Sequence, residues 1–220
     1  MNLNRLSSIT VLLGGLILAI PAMADTEFAC SANSGTNCQG TIPDFPIAPA
    51  FISSFTVPAT AAACVGGVAG LGIKVNLVHD NVGDLTITAA GPAGTATLIN
   101  QPPGAFVGGC AGDDILATFT NQGSPGAPNS CSDAGIPAIT GTRFPVSGGA
   151  ALNITNPAGL WTLTVTDNSN GFEGFVQDWS VVALCPPLMV PTQSPIGLLV
   201  LVLVLATLGG VGLGAARRLR

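Results

Sequence analysis

Tyrosine is absent from this 220-residue chain, histidine occurs once, at position 79, and charged side chains make up only 8% of it. A single histidine cannot build a multi-histidine zinc shell, and no Cys-x-x-Cys pair supplies the alternative spacing. Scarce ionisable groups also argue against catalysis. A serine peptidase triad needs His, Asp and an activated Ser brought together, and no serine here stands in a Gly-x-Ser-x-Gly elbow. Basic residues are rarest in the middle of the chain: Arg5 precedes the first apolar run, Arg217, Arg218 and Arg220 follow the last, and Lys74 and Arg143 alone lie between. Those two bases stand against eleven acids, Asp25 to Asp178, a formal charge of −9. Such a segment repels phosphate backbones and anionic headgroups, which argues against nucleic acid as a partner, and it attracts cations.

What is present begins with targeting signals. Arg5, the apolar run Ile9 to Ile20 and the small-residue site Ala22-Met23-Ala24 have the order of a secretory signal peptide over residues 1–24, with the mature chain starting at Asp25. Residues 196–216 carry no charge. As a helix rising roughly 1.5 Å per residue they would span about 30 Å, the thickness of a hydrocarbon core. The arginines in 217–220 then form a cytoplasmic basic tail that holds everything from Asp25 onward outside. Export and membrane anchoring are therefore expected, with residues 186–195 as a linker.

All six cysteines lie in the exported part, where oxidation is permitted. Six allow fifteen pairings. The expected set joins Cys30 with Cys38, Cys64 with Cys185, and Cys110 with Cys131, because each closes a recognisable unit: an N-terminal loop, the two ends of the domain, and one long internal loop.

Residues 25–50, rich in Ser, Asn, Gly, Thr and Pro, suit a leader loop more than a packed layer. From 51 to 185 the pattern is that of short strands. Phe51 to Val57, Ile73 to Val78, Leu85 to Ala89 and Trp161 to Thr166 alternate apolar with polar residues, and Thr95 to Ile99, Ile115 to Phe119 and Phe175 to Leu184 read as further strands, separated by Gly, Pro and Asn turns. Gln122 to Gly141 is expected as a long loop. Asp167 to Gly171 fails the spacing of a calcium-binding EF-hand loop and reads as a hairpin turn. Trp161 and Trp179 fall on inward faces, which favours core packing over a sugar-binding platform. No segment between the apolar ends keeps a helical period, so the fold class expected is all-β, a β-sandwich or jelly roll.

Several phrases within 51–185 resemble the P domain, also called P/Homo B, the β-sandwich downstream of the catalytic domain in subtilisin-like proprotein convertases and many secreted bacterial peptidases. His79, Gly83, Asp84 and Leu85 match its His to Gly-Asp-Leu phrase. Gly91-Pro92-Ala93-Gly94-Thr95 matches its Ser-Pro-x-Gly-Thr turn with glycine in place of serine. Gly159, Trp161, Leu163, Val165, Asp167, Gly174, Trp179 and Ser180 match its closing phrase. The resemblance implies association with subtilisin-like serine endopeptidases, yet no catalytic domain stands in this sequence. The tail has a likeness of its own: Val190-Pro191-Thr192-Gln193-Ser194 is similar to the IPTL-type C-terminal sorting signal, which implies processing by an exosortase-like membrane protease. Gln193 replaces the usual leucine and the customary Glu-Trp is missing, so a plain single-span anchor stands beside that reading.

Asp113 and Asp114, with Asp84 and Asp167, are candidate calcium ligands, since calcium takes several carboxylate and carbonyl oxygens; the alternative is that Asp113-Asp114 caps the turn into the Ile115 strand. His79 is expected to be structural, its ring pinning the turn to Asp84. The function these readings point to is a non-catalytic, envelope-anchored module that presents its loops to a protein or glycan partner. The alternative is an accessory to a separately encoded subtilisin-like serine endopeptidase.

Overall fold

Alternating strands have one face to bury, and this chain buries those faces against each other. The computed structural model describes residues 24–46, 49–59, 64, 67–104 and 109–186. Residues 1–23 of the expected signal peptide, Pro191 and Thr192 of the sorting-like phrase, the apolar segment 196–216 and the tail 217–220 lie outside that set. Among the described residues no helix is long and apolar enough to cross a membrane.

Ten strands follow in order: β1 Thr26–Ala29, β2 Gly40–Ile42, β3 Phe51–Val57, β4 Gly70–His79, β5 Leu85–Gly91, β6 Gly94–Asn100, β7 Ile115–Thr120, β8 Ile139–Arg143, β9 Gly159–Asp167 and β10 Gly174–Leu184. They form a six-stranded sheet, β1-β10-β4-β7-β8 with β2 also on β10, and a four-stranded sheet, β3-β9-β5-β6. Pairings are antiparallel except β7 with β8. The expected all-β class is the one observed. Helical backbone among the described residues is confined to three short 3-10 turns.

Between the sheets, Ile73, Val75 and Leu77 of β4 and Val181 of β10 share one core with Ile87 of β5 and Leu163 and Val165 of β9. Trp161 and Trp179 are each 1% exposed, one from each sheet. The Trp161 indole N–H donates to the Pro157 carbonyl at 2.8 Å and that of Trp179 to the Ser53 hydroxyl at 2.6 Å, so neither buried polar group is stranded. The second bond crosses from sheet to sheet. Phe55 meets Trp179 edge-on at 4.9 Å between ring centroids.

All three expected disulfides are formed, Cys30–Cys38, Cys64–Cys185 and Cys110–Cys131. Three local expectations need correction. The 25–50 segment is more than a leader loop, since β1 and β2 pair with β10, and Cys30 and Ile42 are fully buried. Covering that edge removes a row of unpaired backbone groups from an eleven-residue strand. The expected loop 122–141 ends instead in β8, which joins β7 in parallel. Finally, the turn after Asp167 does not close a hairpin: β9 and β10 belong to different sheets, so it carries the chain across the sandwich.

Candidate functional site

The strand directions bring many turns to one end. There β2, β4, β6 and β9 finish while β3, β5, β7, β8 and β10 begin. The turns at this end hold Asp44, Asp80, Asp84, Asp113, Asp114 and Asp133, with Asp167 closing β9 and Glu173 preceding β10. Eight of the eleven acids thus share one end. Neither base joins them: Lys74 lies midway along β4, paired with Glu27 at 3.0 Å, and Arg143 ends β8 at the opposite side.

His79, the last residue of β4, anchors this end at 1% exposure. Its Nδ1 accepts the Asn81 backbone N–H at 3.1 Å. A ring nitrogen that accepts carries no hydrogen, so the proton sits on Nε2 and is donated to Asp167 Oδ2 at 3.2 Å. Both side chains are fully buried. The other Asp167 oxygen accepts the Ser169 N–H at 3.0 Å. On the backbone side His79 and Asp114 clasp each other: the His79 N–H donates to Asp114 Oδ1 at 3.1 Å and the Asp114 N–H to the His79 carbonyl at 3.0 Å. The ring therefore pins its turn as expected, but its carboxylate partner is Asp167 and not Asp84.

Glycines admit this close fit. A Cβ at Gly174 would lie 2.5 Å from His79 Cδ2, and one at Gly83 would lie 2.5 Å from the Cys110 nitrogen. His79, Gly83, Asp84, Asp114, Asp167 and Gly174 are therefore one constellation, although 95 residues separate the first from the last. Trp161 and Trp179 belong to the core behind it.

Asp84 differs from its neighbours. It is 6% exposed, and among the described residues its carboxylate accepts no hydrogen bond. Burial first, and then the Asp167 charge, raise the Asp84 pKa above the ordinary carboxylate value. Asp44 adds to that repulsion.

Calcium does not fit the four expected ligands as a set. Among the described residues, the His, Cys, Asp or Glu group that converges within 4.8 Å is Cys110, Cys131 and Asp133, and its two sulfurs are spent in a disulfide. Asp114 and Asp167 already receive protein donors. Asp113 works through its backbone, with its N–H on Gly135 and its carbonyl taking the Ala138 N–H, and so shapes the entry into β7 and β8.

Sequence reasoning overlooked Asp44. Both its oxygens accept the Gly171 N–H, at 3.2 and 3.1 Å, which ties the turn after β2 to the turn before β10. The next residue in each turn is a phenylalanine, Phe45 at 52% and Phe172 at 42% exposed, and Ile136 at the same end is 73% exposed. No local signal pairs residues 44 and 171; only the sheet order does.

No family model matches the chain, and no curated protein matches it. Among solved structures it is similar to a chain in the crystal structure of the Aeromonas sobria serine protease and chaperone ORF2 complex, with a TM-score of 0.36, 16% identity, and 73% of this chain and 26% of that chain covered. It is also similar to the crystal structure of the Aeromonas sobria serine protease itself, at a TM-score of 0.36 and 14% identity over 74% of this chain and 27% of that one. The chain spans about a quarter of the length of these neighbours, and so slight a likeness places it in no family.

Proposed function

We propose that this is an exported, membrane-anchored, non-catalytic β-sandwich that presents its acidic end to a partner at the cell envelope. The commitment of the one imidazole carries the reading. A general base needs a lone pair within reach of a substrate proton; here Nδ1 is occupied by the Asn81 N–H and Nε2 by Asp167, inside a fully buried pair. The test is an assay of the purified ectodomain against fluorogenic basic peptides. No hydrolysis is expected, and turnover blocked by a serine-directed inhibitor would overturn the reading.

A second reading, an accessory to a separately encoded subtilisin-like serine endopeptidase, is favoured by the P-domain-like residues. Their spatial meeting supports it: His79 pairs with Gly174 across β4 and β10, and Leu85 pairs with Asp167 across β5 and β9. Association with, and stabilisation of, such a protease in a mixing experiment would select it over the first reading.

A further inference from the structure

We propose that the acidic end docks a basic polypeptide segment of the partner, with a lysine or arginine set beside Asp84 and Asp44 and an apolar side chain laid across Phe45 and Phe172. This rests on the reading above that the end faces a partner. Two independent observations carry the choice of chemistry. The first is Asp84 itself, more than nine-tenths buried, accepting no hydrogen bond from any described residue, and within electrostatic reach of two further carboxylates. A buried charge left unpaired opposes folding. A cation delivered from outside would pair it, and the surrounding acids, with neither Lys74 nor Arg143 at this end, would steer that cation in.

The second observation is apolar. The Asp44–Gly171 link places Phe45 and Phe172 on adjoining turns, both about half exposed, with the acids around them. Exposed aromatic rings on adjoining turns, rimmed by charge, are the anatomy of a protein contact, where a few aromatic and guanidinium anchors dominate the energy. A metal ion would gain nothing from phenylalanine rings and finds no converging carboxylate trio among the described residues. A polypeptide bearing Lys or Arg next to Leu or Phe uses both.

The experiment is calorimetric titration of the ectodomain with three synthetic peptides: one of Lys, Arg, Leu and Phe, one with Glu replacing the bases, and one of Lys and Ser. The first should bind, and more weakly as salt is raised. Phe45→Ser with Phe172→Ser should weaken it at least about tenfold, as should Asp80→Asn with Glu173→Gln, which removes two exposed acids from this end. Removing the same number of charges elsewhere, by Asp25→Asn with Glu27→Gln, should change the affinity less than about twofold. Equal loss from that control would reduce the effect to net charge and overturn the proposal. So would equal binding of the Glu or the Lys/Ser peptide, or saturable calcium binding that displaces the first peptide. Failure to bind in an ectodomain that also cleaves nothing removes the partner chemistry and leaves the function above standing; cleavage of fluorogenic peptides removes that function.

Discussion

The backbone N–H of Asn81 lies 3.1 Å from Nδ1 of His79, and that link fixes the tautomer of the one imidazole in the chain. With the proton on Nε2, the contact with Asp167 is a neutral N–H donated to a carboxylate, buried and flanked by Gly174. The imidazole is a strut between the two sheets, since His79 belongs to the six-stranded sheet and Asp167 to the four-stranded one. Replacing His79 by Ala leaves Asp167 buried with one donor fewer and opens a cavity. The expected loss is about 3–5 kcal/mol by urea unfolding. Asp167→Asn keeps the shape but offers one acceptor oxygen to two donors, so it sets its NH2 against either His79 Nε2–H or the Ser169 N–H and should lower stability as well.

Asp84 should behave in the opposite sense. Its pKa is raised in the fold by burial and by Asp167, so the folded chain prefers the protonated form more than the unfolded chain does. The stability tied to this group is fully present below the ordinary aspartate pKa and is lost as pH rises through the raised folded value. At neutral pH Asp84→Asn should therefore melt higher than the parent. The gap should close as the pH falls below the ordinary aspartate range. A parent protein equal to or more stable than Asp84→Asn at pH 7 would contradict the assignment.

The disulfides should rank by the loop each closes. Cys64–Cys185 spans 121 residues and Cys30–Cys38 spans 8. Chain-entropy arithmetic gives about 5 kcal/mol for the longer loop and about 2.5 kcal/mol for the shorter. Serine replacements of each pair, compared by denaturant unfolding, should preserve that order.

Chelation should leave the melting temperature unchanged. The expected ligands Asp84, Asp113, Asp114 and Asp167 do not converge, and two of them are held by protein donors instead. A drop in melting temperature on adding EDTA, restored by calcium, would show a shell built from other oxygens.

Much of this fold was legible because its long strands alternate. From Phe51 to Leu184, seven expected segments became β3, β4, β5, β6, β7, β9 and β10, with the period of two clear in β3, β4, β5 and β9, and both indoles faced inward. Strands of three to five residues escaped notice: β1, β2 and β8 are too short to show a period, and they form because β10 and β7 offer open edges, which is tertiary information. The site was half legible. His79, Gly83, Asp84 and Asp167 stood out as motif residues, but the choice of Asp167 over Asp84 as partner depends on where β9 crosses. Asp44, Phe45 and Phe172 meet through a contact between residues 127 positions apart.

The residue that differs from the P-domain turn this sequence resembles has a physical reason that can be tested. Where the P-domain turn has serine, this chain has Gly91, and a Cβ there would run into the six-membered ring of Trp161. That indole cannot easily retreat, because it is 1% exposed and its N–H is bonded to Pro157. Gly91→Ser should therefore lower stability by about 1–3 kcal/mol, the usual penalty of overpacking a filled core. Trp161→Phe shortens the ring at the point of collision and lowers stability on its own by loss of packing and of the Pro157 bond. If the clash is the cause, Gly91→Ser should be far milder in the Trp161→Phe background, with a double-mutant coupling of about 0.5–3 kcal/mol. Additive effects would mean that Gly91 is needed for its backbone and not for the space it leaves to Trp161.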